Sequence, residues 1–221
     1  MSTDILGLVA GKRTYGDPCG VARALDVIGE RWALLVVREL LLGPKRFTDL
    51  RAGMPNLSPD VLSQRLRELE QAGVVRRDRL PPPIASQVYE LTEWGRELEP
   101  VVLGLGRWGS RAPFPPGDAA LGVDSLVLAL KTLYNPGRAD GLLSSSFELR
   151  LGDQRFVARP QDGRLDVTRG AATDPDATIV ADPGTLEHIL WHGHPLSTDE
   201  LSITGDRQAA ARFLTMFPLP G

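Results

Sequence analysis

The residues best suited to recognising another molecule stand together in the first half of the chain. A helix is predicted from Ser58, its cap, through Pro59 at the first helical position to Gln71, with Gly73 ending it. Leu62, Leu66 and Leu69 make one face of it, and Ser63, Gln64, Arg67 and Gln71 the other. Short hydroxyl and amide side chains near the start of a helix are types that read base edges in a major groove, which admits one α-helix. The free N–H groups of the first turn would meet a phosphate. Beyond the helix come Arg76, Arg77 and Arg79, a local basic patch suited to the phosphate backbone beside the groove. Taken alone each feature has an ordinary reading: Ser-Pro often opens an amphipathic helix, and alternating arginines often make a solvated face.

Three further groups could carry chemistry. Cys19 is expected in the first turn of a helix capped by Asp17, where partial positive charge favours a thiolate and Asp17 opposes it. As the only cysteine, it could form an inter-subunit disulfide or a mixed disulfide with a small thiol; the alternative is a buried small residue at a dimer interface. "GLGRWG", Gly104 to Gly109, fits a dinucleotide-binding pattern in letters only, because no helix can follow through "SRAPFPPGD". Its glycines instead suit close helix–helix approach. His188 and His192 stand four apart on a predicted helix with His194 just beyond, yet no cysteine lies near, so no metal site and no cofactor are expected. No nucleophile–base or paired-carboxylate pattern stands out, so the chain is not expected to be an enzyme.

The elements that must position these residues follow from periodicity and punctuation. Asp17-Pro18 reads as a helix start, followed by Val21, Leu25 and Ile28 at helical spacing. Arg31 to Leu42 reads as a central buried helix stopped by Gly43-Pro44, and Phe47 to Gly53 as a short helix with Phe47 and Leu50 inward. Val74 to Arg79 and Gln87 to Leu91 read as two strands around a proline-rich tip, Leu80 to Ser86. One last helix is expected from Thr92 to about Trp108, carrying Trp94, Leu98, Val101, Val102, Leu105 and Trp108. A short helix, a turn, an amphipathic helix and a β-ribbon, in that order, are the layout of a winged helix-turn-helix.

The chain has 221 residues, 42% hydrophobic and 24% charged, which suits two small globular domains. "APFPPGD", Ala112 to Asp118, cannot continue a helix and marks the break. Residues 1–112 hold 16 basic and 14 acidic side chains; residues 113–221 hold 9 and 14. With a net charge of −3, a bulk basic tether to nucleic acid or lipid is excluded, and any such contact must be local. No apolar run reaches the roughly 18 residues of a membrane span. Met1 to Gly11 has no basic region before its apolar stretch, so no secretory signal is expected, and the lone cysteine fits a reducing cytoplasm. The expected division is an N-terminal arm (1–16), a winged helix-turn-helix domain (17–112), a Pro/Gly linker (113–120) and a second domain (121–221).

"CGVARALDVIGERWALLVVRELLLGPKRFTDLR", "LSPDVLSQRLRELEQAGVVRR" and "YELTEWGRELEPVV" run in order across about ninety residues. This stretch, 19–109, resembles the HxlR family of winged-helix repressors and activators, relatives of the MarR group. The resemblance implies binding to double-stranded DNA as a homodimer held by terminal helices, with two recognition helices in successive major grooves. It places Ser58, Asp60, Ser63, Gln64 and Arg67 on the recognition face, and Arg77 and Arg79 on the wing. Some family members resemble thiol sensors with a cysteine at the place of Cys19. One departure stands out: "PPPIASQVY" makes a longer wing tip than is usual, with Gln87 where the family carries a charged residue.

The second half reads as α+β. Val123 to Tyr134 is a predicted helix with Leu126, Val127 and Leu130 inward. "FELRLG", "QRFVARP", "RLDVTRG", "DATIVAD" and "LSITGD" read as five strands of a mainly antiparallel sheet. Helices from Pro183 and from Arg207 to Met216 complete its cover. "DATIVADPGTLEHILWHGHPLSTDELSITGDRQAAARFLTMF" resembles the sterol-carrier-protein type lipid-binding domain. That resemblance implies an apolar tunnel, with Phe147, Leu149, Phe156, Ile179, Leu186, Ile189, Trp191 and Phe213 as candidate lining. The alternative is that these side chains fill the core; a genuine pocket would show as a cavity of about 300 Å³ or more. The expected whole is a cytoplasmic, dimeric DNA-binding regulator with an apolar small-molecule effector. The competing reading is a lipid or hydrophobic-metabolite carrier with a vestigial DNA module.

Overall fold

The computed structural model describes residues 14–79, 86–113, 121–139, 141–196 and 199–220. The first half begins with α1 (Gly20–Ile28), α2 (Ala33–Leu40), α3 (Phe47–Gly53) and α4 (Pro59–Gln71). A two-stranded antiparallel ribbon follows, β1 (Val75–Arg79) and β2 (Gln87–Leu91), and then α5 (Glu93–Arg96) and α6 (Glu99–Gly109). The wing tip at 80–85 and most of the expected linker lie outside the described residues.

Helix α4 forms as the local sequence dictates. Ser58 Oγ accepts the Val61 N–H at 3.3 Å, Pro59 stands in the first turn, and Gly73 leaves the helix at φ +76°, where a Cβ would strain the backbone. Leu62, Leu66 and Leu69 pack with Val36, Val37, Leu40 and Leu50 in one core cluster. That clamp fixes which face of α4 is left for solvent.

Three expectations for the first half are corrected. Helix α1 begins at Gly20 with Cys19 as its cap residue, because Asp17 turns back to accept the Cys19 N–H at 2.9 Å. On it Val21 and Leu25 are 68% and 42% exposed, and Ile28 is buried. Helix α2 begins only at Ala33, since Trp32 takes a left-handed φ of 78°. The long terminal helix is broken in two. Pro100 has no N–H and its ring would clash with the carbonyl of Arg96, the last residue of α5.

The second half has α7 (Val123–Leu133), strands β3 (Phe147–Leu151), β4 (Gln154–Gln161), β5 (Arg164–Arg169) and β6 (Ala177–Ala181), then α8 (Pro183–Trp191), β7 (Leu201–Gly205) and α9 (Arg207–Leu214). The sheet order is β5-β4-β3-β6-β7. It is mixed: β3 and β6 pair in parallel at its centre while the other three pairings are antiparallel. Helices α7, α8 and α9 share a core with the face that carries Phe147, Leu149, Phe156 and Ile179. On the opposite face Arg155, Val180, Ser202 and Thr204 are exposed, while Glu148, Val157 and Thr178 at its centre are buried.

The halves meet directly. Leu42, at the end of α2, belongs to the second core. Helix α7 lies along α6, where a Cβ on Gly106 would come within 3.2 Å of Thr132. Arg107 donates to the Thr132 carbonyl at 2.8 Å, and Lys131 pairs with Glu99. Among the described residues no helix is long and apolar enough to cross a membrane.

Candidate nucleic-acid interface

The free face of α4 holds the predicted reading residues. Ser58, Asp60, Gln64 and Arg67 are exposed and Ser63 is half-buried. Ser58 Oγ is occupied as an acceptor by the cap, so toward a ligand its hydroxyl offers a proton. Gln64 Nε2 donates to Glu68 at 3.0 Å, one turn on, which aligns its amide along the helix. Arg67 has no ion-pair partner among the described residues. Arg65, two positions earlier, belongs to the clamp instead: it is 8% exposed and its guanidinium lies 2.6 Å from Glu68 and 3.4 Å from Glu30. Helical period alone separates these two arginines, and Arg65 looked no different in composition.

On the ribbon, strand alternation splits the basic patch. Arg77 and Arg79 share one face, whereas Arg76 turns to Glu90 at 2.6 Å. Arg77 is tied back toward α4 by Glu70 at 3.1 Å and lies over the Tyr89 ring at 5.5 Å. Arg77, Asp78, Arg79 and Gln87 border an open groove of about 530 Å³. Gln87, the residue that departs from the usual wing, therefore sits beside the two wing arginines.

The base of the ribbon carries a residue that sequence reasoning passed over. Lys45 exchanges two backbone hydrogen bonds with Tyr89, at 3.0 and 2.8 Å, adding a one-residue strand to β2. Its side chain pairs with Glu39 at 2.6 Å and with Asp124 of α7. The Gly43-Pro44 stop before it signalled a turn, but nothing local named Tyr89 or Asp124 as partners.

Cys19 is exposed in the single chain. The backbone N–H groups of Val21 and then Ala22, at the start of α1, hold its thiol below the ordinary value. Exposed apolar side chains continue on α1 and α6: Val21, Leu25, Val101, Leu105 and, at 73%, Trp108.

The eight residues proposed to line a tunnel fall into two groups. Phe147, Leu149, Phe156, Ile179, Leu186 and Phe213 are fully buried in the second core, with the Phe147 and Phe213 rings stacked at 4.2 Å. All six belong to one core cluster, and interior side chains ordinarily pack against one another. Ile189 and Trp191 are partly buried, and Trp191 Nε1 donates to the Phe217 carbonyl at 2.9 Å. Of the eight, only Ile189 borders the surface cleft of about 230 Å³ that Leu190, Leu196, Leu214, Phe217 and Arg138 also line. His188, His192 and His194 do gather, with both His188 ring pairs 5.2 Å apart, and His188 Nδ1 lies 2.7 Å from the Gly184 carbonyl. Among the described residues no group of three His, Cys, Asp or Glu is placed to hold a metal.

A family model of HxlR-like helix-turn-helix proteins matches residues 27–113. The chain is 42% identical over 88 residues to the HTH-type transcriptional regulator YvaP of Bacillus subtilis, spanning 40% of this chain and 82% of that protein. It is 37% identical over 95 residues to the HTH-type transcriptional regulator YodB of the same organism, spanning 43% of this chain and 84% of YodB. Among solved structures, it is similar to the redox regulator HypR in its oxidised form, with 38% identity, a TM-score of 0.39, and 44% of this chain and 100% of that one covered. It is also similar to reduced YodB from B. subtilis, at 35% identity and a TM-score of 0.39, covering 46% of this chain and 100% of that one. The family match ends at residue 113, before α7.

Proposed function

The chain belongs to the HxlR-like helix-turn-helix family, and on that premise we propose that it is a DNA-binding transcription regulator. The observation that carries the proposal is the division of α4. Its three leucines are at most 1% exposed, while Gln64 and Arg67 face solvent on the other side. In this reading Ser58 and the first-turn N–H groups hold a phosphate, Ser63, Gln64 and Arg67 meet base edges, Asp60 sits at the helix start beside them, and Arg77 and Arg79 grip the neighbouring backbone. Glu70 and Tyr89 keep Arg77 from wandering, so less freedom is lost when it finds its phosphate.

The exposed apolar side chains of α1 and α6 support a homodimer built through these helices. Two copies of α4 would then meet a pseudo-palindromic operator in the cytoplasm. The acidic second domain is proposed to take an apolar small-molecule effector, and the cleft beside Ile189 is the feature that supports it. A sterol-carrier-like tunnel and a carrier role would need enclosed volume where six of the expected lining residues are packed together. Cys19, exposed with a thiol favoured toward thiolate, suits redox control through an inter-subunit or mixed disulfide.

The test is a titration of duplex DNA against rising salt. A dimer that reads DNA this way gives a steep fall of affinity, by about 0.9 in log–log slope for each phosphate neutralised. A flat salt response would overturn the proposal. A steep response without sequence preference would leave the phosphate contacts and remove the base contacts.

A further inference from the structure

We infer that Lys45 is a positioning residue for the wing, anchored by Asp124, so that the second domain sets how the wing is presented to DNA. This rests on the DNA-reading assignment above and adds what holds the wing in place. The path is continuous. The main chain of Lys45 bonds Tyr89 in both directions at 3.0 and 2.8 Å. Tyr89 is the register partner of Arg77, and its ring lies under the Arg77 guanidinium. The side chain of Lys45, 13% exposed, is held between Glu39 of α2 and Asp124 of α7, whose side chains are 2% and 4% exposed. Asp124 accepts in turn from Arg169 of β5 at 2.5 Å, and Arg169 also bonds Gln154 of β4. Arg77, Tyr89, Lys45, Asp124 and Arg169 thus link the wing to the sheet of the second domain.

A charge this deeply buried stays only while it is paired, so the ammonium follows its carboxylates. If α7 moves relative to α2, Lys45 must leave one of the two or carry its backbone with it, and the backbone is the base of the ribbon. Helix α7 is held at its other end on α6 by Thr132 and Lys131. A displacement of the second domain therefore reaches the wing through Lys45 and the terminal helix through Thr132.

The experiment uses the full chain with Asp124→Asn, which keeps the shape and removes the charge. Arg169→Gln, at a position 37% exposed, serves as a second variant, with a thermal melt to check its fold. Lys45→Arg is the conservative control. Hydrogen exchange of the β2 peptide containing Tyr89 is read beside the salt slope on a mixed-sequence DNA duplex. Asp124→Asn is expected to speed exchange at Tyr89 by about two- to thirtyfold, the range for perturbing a coupled network. Exchange in β7, which lies outside this path, should stay unchanged. The same variant should flatten the salt slope toward that of Arg77→Ala, while Lys45→Arg stays near the parent. If Tyr89 exchange in both Asp124→Asn and Arg169→Gln matches the parent, the inference fails and the DNA-reading assignment stands. If Arg77→Ala leaves the salt slope untouched, the wing assignment fails instead, and Tyr89 exchange still decides the link to the second domain.

Discussion

Replacing Arg67 with alanine is expected to weaken DNA binding and spare the fold, while the same change at Arg65 should do the reverse. Arg67 is exposed and has no ion pair among the described residues, so its removal should cost no more than about 0.5 kcal/mol of stability. At roughly 2–4 °C per kcal/mol for a chain of this size, the melting temperature moves by less than about 2 °C. If Arg67 meets a phosphate, the log–log salt slope falls by about 0.9 per protomer, or about 1.8 for a dimer on one operator. If it meets a base edge, the slope holds and about 1–3 kcal/mol of discrimination at that position is lost. Arg65 is 8% exposed and bonds Glu68 at 2.6 Å. A charged hydrogen bond is worth about 1.5–3 kcal/mol when desolvated, and partial exposure of Glu68 lowers this to about 1–2 kcal/mol. Arg65→Ala should therefore melt roughly 2–8 °C lower, with its salt slope unchanged while folded. Fluorescence anisotropy over a salt series, with a thermal melt of each variant, reads both quantities. Parent-like binding by Arg67→Ala, or a binding defect without a melting shift in Arg65→Ala, would refute the assignment of the two faces.

Four further outcomes are expected. The rate of Cys19 alkylation should inflect at a pH below that of an ordinary thiol, because the Val21 and Ala22 N–H groups favour the thiolate; an inflection at or above the ordinary value counts against it. Glu148 is held below the ordinary carboxylate range, first by its hydrogen bond from Arg150, with the Arg150 and Arg155 charges and Thr178 adding to this, against the opposing effect of burial. Its folded value lies below its unfolded one, so its stabilisation is present above the ordinary range and is lost as pH falls through the folded value; Glu148→Gln should unfold at lower urea than the parent at pH 7, with the gap closing in acid below about 4. Leu105→Asp, at a position 50% exposed, should turn a dimer into a folded monomer by light scattering, with a lower melt as the dimer's stabilisation is lost, whereas a persistent dimer would place the interface elsewhere. Gly104→Ala, facing open space on α6, should raise stability by about 0.4–1 kcal/mol, whereas Gly106→Ala should forfeit that gain against Thr132; equal melts for the two would contradict the close approach of α6 and α7.

The parts legible in the sequence are those that short-range rules determine. Ser58-Pro59 at the start and Gly73 at the end bounded α4 because a cap and a left-handed glycine act within one turn. Alternation likewise located β1 and β2, and Asp/Gly turns located β3 to β5. What failed depended on partners distant in sequence. The spacing of Val21, Leu25 and Ile28 correctly marks an apolar stripe, yet periodicity does not say that Ile28 alone goes inward. The parallel pairing of β3 with β6 requires β6 to pass the β3–β4–β5 meander and join its far side, and no residue in β6 announces that. Lys45 was invisible because its neighbours in sequence do not include Tyr89 or Asp124.

Helix α6 gathers these threads, because it has two faces with different duties. Gly106, within "GLGRWG", leaves room for Thr132, and Arg107 reaches from α6 to the carbonyl at the end of α7. Leu105 and Trp108, three apart on the helix, remain exposed. A partner covering those two side chains would press on a helix whose other side is already bonded to the second domain. Dimer contact and second-domain position are then not independent variables. A ligand in the second domain can alter DNA affinity only if it favours one arrangement of α7 over another. With α7 tied to α6 near Thr132 and to the wing base through Asp124, a change of arrangement would act on the spacing of the two reading helices and on the posture of each wing together.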